Sequence, residues 1–206
     1  MLNRISFTPT VARRIPCALT LAFLLAGGGP CMAHGDIEGV TVPEAVSVDG
    51  QALRLNGAGL REISLLEARV KLYVASLYTP VRVQGLEDLL ACPRPVEINF
   101  TFLKGVSRRL VETSWRNQFA RSATYTYPGF AKDQETFISL LGNLDEKGRD
   151  TVQFLSGETR VLDQGRLMGT IRGKEFQKAF FYLLFGDKPI SRRLKANLLG
   201  VAAVPN

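Results

Sequence analysis

Val70-Lys-Leu-Tyr-Val-Ala-Ser-Leu-Tyr-Thr79 is the stretch that decides the fold, because it is apolar on both faces of an extended chain. Successive side chains of a strand point to opposite faces. One face here carries Tyr73, Ala75 and Leu77, and the other carries Leu72, Val74 and Tyr78. A strand with two apolar faces must be covered on both sides. The stretch therefore predicts a central strand of a sheet.

The residues before this strand predict a hairpin and a loop. Val46-Ser-Val48 and Leu53-Arg-Leu55 alternate around Asp49-Gly50, which is a strong signal for a tight two-residue turn. Asn56-Gly57-Ala58-Gly59 follows, and its glycines predict a loop that leads into the central strand.

The residues after the central strand predict helices, one more strand and a meander. A helix over Leu86–Cys92 ends before two prolines, and a strand over Val96–Val106 follows. The later elements are a helix after Ser107 with an apolar stripe of Leu110, Val111, Trp115 and Phe119; a helix with Phe137, Leu140, Leu141 and Leu144; three strands between Asp150 and Gly173; a buried helix over Phe176–Phe185; and a helix from Ser191 to Gly200. This order predicts an α+β fold with helices packed on an antiparallel sheet.

The composition narrows the functional class. The chain has 206 residues, of which 46% are hydrophobic and 22% charged, which is typical of one globular domain. Its net charge of +7 includes three arginines before residue 34, and without them 23 basic residues face 19 acidic ones. A charge of +4 without clustering does not indicate a nucleic-acid partner.

The N-terminus has the pattern of an export signal. Arg4, Arg13 and Arg14 precede the apolar run Ile15–Ala26, and Cys31-Met-Ala33 offers small residues for cleavage. We expect a signal peptide over residues 1–33, cleavage after Ala33, and a single domain over residues 34–206 in the periplasm or outside the cell. An apolar run of about a dozen residues is too short to cross a bilayer, which favours a signal over a membrane span. We expect no transmembrane segment in the mature chain. An uncleaved anchor is the alternative.

Cysteine and histidine usage excludes several chemistries. After cleavage only Cys92 remains, so no internal disulfide forms, and the thiol is expected to be a buried apolar group. His34 is the sole histidine and lies at the new N-terminus, which argues against catalytic triads and histidine metal sites. We expect neither a metal ion nor a cofactor.

Five segments of the chain carry a family resemblance: Leu55-Asn-Gly-Ala-Gly-Leu-Arg61, Val70–Tyr78, Lys104-Gly-Val-Ser107, Gly169–Phe176 and Phe181–Asp187. In this order they resemble the chalcone isomerase family, especially its exported bacterial branch. The resemblance runs from about residue 40 to residue 200. It implies an open-faced β-sandwich, in which a large antiparallel sheet packs against a layer of helices with a ligand cleft between them.

The resemblance also places the catalytic positions of the true isomerases, and most of them are replaced. Arg61 matches the family's arginine, but the family's threonine, tyrosine and asparagine correspond to Tyr73, Val106 and Thr113. A further hydroxyl residue corresponds to Leu183. Valine and leucine cannot move a proton, so no catalytic residue is assigned.

Arg61 with Tyr73 resembles the arginine and tyrosine with which fatty-acid-binding relatives hold a carboxylate. The predicted ligand is therefore a hydrophobic carboxylate such as a fatty acid, and the predicted binding residues are Arg61, Tyr73, Thr113, Phe180, Leu183 and Leu184. A purely structural role remains open, in which Arg61 pairs with Glu62, Glu67 or a backbone carbonyl and Tyr73 fills the core.

Two other functions stay open. The first is an intramolecular lyase or isomerase, which would need a replacement donor such as Tyr78 or Thr113. The second is a protein-interaction module that keeps the fold and fills the cleft. The sequence identifies no protein partner.

Overall fold

The structure is a computed structural model that describes residues 33–65, 68–122 and 124–201. The strands are β1 (Ala33–Ile37), β2 (Val40–Pro43), β3 (Ala45–Val48), β4 (Gln51–Leu65), β5 (Ala68–Thr79), β6 (Val96–Phe102), β7 (Arg149–Leu155), β8 (Glu158–Asp163) and β9 (Arg166–Arg172). Strands β3 to β9 form a seven-stranded antiparallel sheet in sequence order, and β1 pairs with β2. The predicted signal peptide lies outside the described residues except for Ala33, which begins β1.

Helices cover one face of this sheet, as the α+β prediction requires. They are α1 (Leu86–Ala91), α2 (Arg108–Ser122), α3 (Phe130–Ser139), α4 (Glu175–Phe185) and α5 (Arg192–Leu199). The main core lies between the sheet and these helices. Residues of α2 to α5 meet sheet residues such as Leu77, Phe100 and Phe154 there. The open-faced sandwich is therefore confirmed.

The hairpin and the central strand form as predicted. Asp49 and Gly50 turn with φ of 49° and 81°, the positive values that a tight hairpin turn of this type needs. Strand β5 lies between β4 and β6 and is buried on both faces. Tyr73 faces the main core, whereas Tyr78 packs with Val48 in a smaller cluster.

The loop predicted over Asn56-Gly57-Ala58-Gly59 is wrong, because these residues continue β4. A Cβ on Gly57 would lie 2.2 Å from the backbone oxygen of Asn197, and one on Gly59 would lie 2.6 Å from the Asn197 Cβ. The glycines are there because α5 approaches β4 too closely for any side chain. A bulge between Leu55 and Gly57 accommodates the extra residue.

Two element boundaries and one core residue also differ from the prediction. Strand β6 ends at Phe102, and Val106 forms an isolated bridge with Leu144. Helix α3 ends at Ser139, so Leu141 and Leu144 lie beyond it although both are buried. Leu110 is 58% exposed, so it does not belong to the apolar stripe of α2.

The final helices match their sequence signals. Eight of the eleven residues of α4 are buried, which confirms the prediction of a helix that is covered on nearly all sides. The Ser191 hydroxyl accepts a hydrogen bond from the Leu194 backbone N–H at 3.2 Å and caps α5. Gly200 ends α5 with φ of 60°, the left-handed conformation that glycine favours.

Candidate functional site

Arg61 and Tyr73 are brought together by the register of two neighbouring strands. They lie directly opposite each other in the β4–β5 ladder, so their side chains share one face of the sheet. The positive charge of the Arg61 guanidinium acts on the Tyr73 phenol from this position. A register shift interrupts the regular pairing of β4 with β5 between Arg61 and Glu62.

Tyr73 is a buried, neutral phenol with an aromatic surround. Its ring meets Phe100 at 5.4 Å and Phe102 at 5.6 Å between centroids, in both cases edge to face. Burial raises the pKa of Tyr73 to about 12, although the nearby charge of Arg61 acts in the opposite direction. The hydroxyl therefore stays protonated at neutral pH and can donate a hydrogen bond.

Arg61 is half-buried, and within the described residues its charge has no carboxylate partner. Its Nη1 donates to the backbone oxygen of Glu62 at 2.7 Å. The Glu62 carboxylate instead accepts from Arg193 at 3.1 Å. Among the described residues, no carboxylate forms an ion pair with Arg61, and Glu67 lies outside them. The guanidinium retains donors for an anion.

Thr113 lies on helix α2, not on the two strands that carry Arg61 and Tyr73. It is exposed on α2, and its hydroxyl donates to the backbone oxygen of Arg109 at 2.8 Å. That bond to the preceding turn is common for a helical threonine and satisfies the hydroxyl locally. Its role in binding stays a prediction.

Phe180, Leu183 and Leu184 are packed, with each side chain at most 1% exposed. The Phe180 ring meets Trp115 at 5.6 Å, and Phe137 and Phe154 at 5.4 Å each. In this structure these residues belong to a filled aromatic layer between sheet and helices. Their role as lining of a binding cleft stays a prediction.

A chain of ring contacts connects the Arg61 site to that layer. Tyr73 touches Phe100, Phe100 meets Trp115 at 6.2 Å, and Trp115 meets Phe180. We call this set, together with Phe137, Phe154 and Phe176, the aromatic layer. It provides a continuous apolar path from the polar pair to helix α4.

The other positions matched to the isomerases are apolar here. Val106 is half-buried in its bridge to Leu144, and Leu183 is buried on α4. Neither side chain can donate, accept or move a proton.

Two charged groups of the interior were missed by the sequence analysis. Asp150 is the second residue of β7 and lies opposite Asp163, and burial together with the Asp163 charge raises the pKa of Asp150 to about 7. Arg94 is half-buried over the Phe181 ring at 5.1 Å and donates to the backbone oxygen of Cys92 at 2.6 Å. For Asp150 the available signal was an aspartate at the start of a predicted strand. For Arg94 no local pattern gave a signal, because its partner Phe181 is far from it in sequence.

The described residues also bear on metal binding, membrane insertion and the state of the cysteine. No group of three or more metal-ligating side chains occurs among them. Within the same ranges, no helix is both long and apolar enough to cross a bilayer. Cys92 is a buried free thiol, as expected.

The comparisons with known proteins agree with this fold. Residues 34–200 match the chalcone isomerase-like family, so the chain belongs to that family. A similar solved structure is that of a fatty-acid binding protein from Arabidopsis thaliana, with a TM-score of 0.66 and 17% sequence identity. The match covers 78% of this chain and 92% of the plant protein. No curated protein matches the sequence.

Proposed function

We propose that this protein binds a hydrophobic carboxylate of the fatty-acid class, with Arg61 and Tyr73 as the head-group site. The observation that supports this most directly is the cross-strand pair itself, a half-buried guanidinium beside a protonated phenol. Guanidinium offers a fork of donors that matches a carboxylate, and the phenol adds a further donor.

The aromatic layer would accommodate the acyl tail. It begins at Tyr73 and extends to Phe180 through rings in contact, so a tail that starts at Arg61 meets apolar surface throughout. The name of the Arabidopsis relative gives independent support for a ligand of this class. At 17% identity the likeness extends to the fold, and the residues of the site must be tested in this chain.

Tail binding requires the helices to separate from the sheet, because the layer is filled. The segment between α2 and α3 is fastened to α4, where the Tyr125 hydroxyl donates to Glu175 and the Tyr125 ring stacks on Tyr182 at 5.2 Å. If the open form is a minor population, the apparent affinity falls in proportion to that population. We therefore expect slow association and an affinity below that of a preformed cleft.

Native mass spectrometry of gently purified protein tests the proposal. We expect a co-purified lipid or, after delipidation, saturable binding of palmitate. The matched control is Arg166→Gln, which removes an exposed arginine on β9 and should bind as the parent does. Absence of both a co-purified lipid and titratable palmitate binding would refute the function.

We also propose that the protein acts outside the cytoplasm, on the basis of the basic, apolar and small-residue order of residues 1–33. The intact mass and N-terminal sequence of the natural protein test this. A mature chain that begins at His34 is expected. A full-length chain in the cytosolic fraction would contradict it.

The filled aromatic layer favours a second candidate, an interaction module that has kept the fold. Phe180 is fully buried among rings from α2, α3 and β7, as in an ordinary core. This candidate predicts that Arg61→Gln leaves the cellular function intact. Loss of that function in a stably folded Arg61→Gln variant would exclude it.

A further inference from the structure

A surface cavity of about 470 Å³ lies at the opposite end of β4 from Arg61. Arg54 in its wall precedes Arg61 by seven residues, which is roughly 23 Å along a strand. The cavity is therefore separate from the Arg61 and Tyr73 pair. Its lining residues are Arg54, Leu55, Asn56, Thr79, Pro80, Val81 and Arg82.

One cation of this cavity is held in place by backbone carbonyls. Arg82 donates from Nη1 to the Asn56 oxygen at 2.6 Å and from Nη2 to the Gly200 oxygen at 3.2 Å. A Cβ on Gly200 would lie 2.1 Å from Arg82 Nη2, so the glycine leaves room for the guanidinium. A guanidinium fixed in this way loses little freedom when it binds an anion.

Asn56 anchors the same arrangement from inside. It is 3% exposed, and its amide donates to the backbone oxygens of Val83 at 3.0 Å and Leu198 at 2.9 Å. Its side-chain oxygen accepts from the Val83 N–H at 2.9 Å. With three side-chain hydrogen bonds, Asn56 ties the Arg82 segment to β4 and to the end of α5.

The second cation, Arg54, lies opposite Thr79 in the β4–β5 ladder. Among the described residues, neither Arg54 nor Arg82 forms an ion pair with a carboxylate. The C-terminal end of α5 offsets about half a charge near Arg82. Counting the described residues alone, the cavity therefore has a net positive charge.

The remaining wall is apolar and partly open to solvent. Leu55 and Pro80 are half-buried, and Val81 is 51% exposed although it is a large apolar side chain. A volume of 470 Å³ falls within the range of small-molecule sites, about 300–1,000 Å³. Two cations beside an apolar wall match a compact organic anion.

We infer that this cavity, between Arg54 and Arg82, is a second binding site that takes a compact organic carboxylate with an aromatic or short apolar group. The cations orient the carboxylate through charge-assisted hydrogen bonds, and Leu55, Pro80 and Val81 contact the apolar part. No rearrangement of the aromatic layer is needed.

Amide chemical shifts of the full chain, titrated with benzoate, test this inference. We expect saturable shifts at Leu55, Val81 and Arg82, with a Kd on the order of 0.1–1 mM. The neutral analogue benzamide should bind at least about tenfold more weakly. Arg54→Gln should weaken benzoate binding about fivefold to tenfold, since it removes one of two charge-assisted contacts.

Arg69→Gln is the matched control, because it removes an exposed arginine from the far end of β5 and should change nothing at the cavity. Equal binding of benzoate and benzamide, equal losses in Arg54→Gln and Arg69→Gln, or benzoate shifts confined to Arg61 and Tyr73 would each overturn the inference. These outcomes are separate from palmitate binding, so each site can fail without the other.

Discussion

The two ends of strand β4 present arginine in opposite settings. At one end Arg61 pairs with a buried tyrosine beside the filled aromatic layer. At the other end Arg54 and Arg82 border a cavity that is already open. Both ends offer cations that no described carboxylate neutralises. The comparison shows that carboxylate binding as proposed would require a rearrangement at the Arg61 end and none at the Arg54 end.

The largest expected effect is a loss of stability at the Arg61 end, which we call the closed end because the aromatic layer beside it is filled; the Arg54 end is the open end. Phe180→Ala should lower the free energy of unfolding by about 3–5 kcal/mol, because a fully buried ring leaves a cavity among the surrounding rings. Val81→Ala, at the open end, should change it by about 0.5 kcal/mol or less. Urea denaturation of both variants measures this. Similar losses for the two would show that the ends do not differ in packing.

Arg61→Ala sharpens the contrast in binding. A sixteen-carbon tail contributes on the order of 10 kcal/mol gross by burial, whereas a charge-assisted contact contributes about 1.5–3 kcal/mol. Palmitate binding should therefore weaken roughly tenfold to a hundredfold, and binding of the matching fatty alcohol should stay nearly unchanged.

Fluorescence displacement or calorimetry with both ligands gives the answer, and Arg166→Gln, which removes an exposed arginine on β9, serves as the control. Equal losses for acid and alcohol would identify Arg61 as a residue of the fold. No loss for either would place the carboxylate elsewhere.

The pH dependence of stability tests whether Asp150 is shielded from water beside the aromatic layer. Its folded pKa of about 7 lies above the unfolded value of about 3.9, so the folded state binds more protons between these values. Stability should therefore fall as pH rises from about 4 to about 7 and level off above.

Residual solvent contact reduces the size of this effect to about 1–2 kcal/mol. Asp150→Asn should flatten the profile, whereas Asp145→Asn, at an exposed site, should leave it unchanged. Urea midpoints across this pH range are the measurement. A profile with the same slope in Asp150→Asn and the parent would assign the dependence to other groups.

The smallest expected effect concerns Tyr73→Phe, which keeps the ring and removes the hydroxyl. Palmitate affinity should fall about threefold to tenfold, as expected for one hydrogen bond to a charged group. Because the ring contacts with Phe100 and Phe102 persist, the unfolding free energy should change by less than in Phe180→Ala. Unchanged affinity would remove the phenol from the head-group site.

Much of the fold could be predicted because its signals are local. The two-faced pattern of β5, the turn at Asp49-Gly50 and the buried pattern of α4 each depend on neighbouring residues. Gly57 and Gly59 were misread as a loop because their partner, Asn197, is about 140 positions away. Glycine in a sequence does not reveal whether it permits a turn or a close contact.

The candidate site could likewise be predicted only in part. The family resemblance predicted that Arg61 and Tyr73 lie near each other, and the β4–β5 ladder places them directly opposite. The filled layer could not be predicted, since apolar periodicity describes a packed core and a ligand cleft equally. The cavity at Arg82 was also beyond the sequence, because Asn56 and Gly200 meet there from distant segments.

Trp115 is the single tryptophan of the chain, and its fluorescence reports on the aromatic layer. It extends from α2 into the aromatic layer and lies against Phe100 of the sheet and Phe180 of α4. Separation of the helices from the sheet would change the polarity around the indole and shift its emission. Opening of this region can therefore be followed in the unlabelled protein, with no contribution from the distant Arg54 cavity.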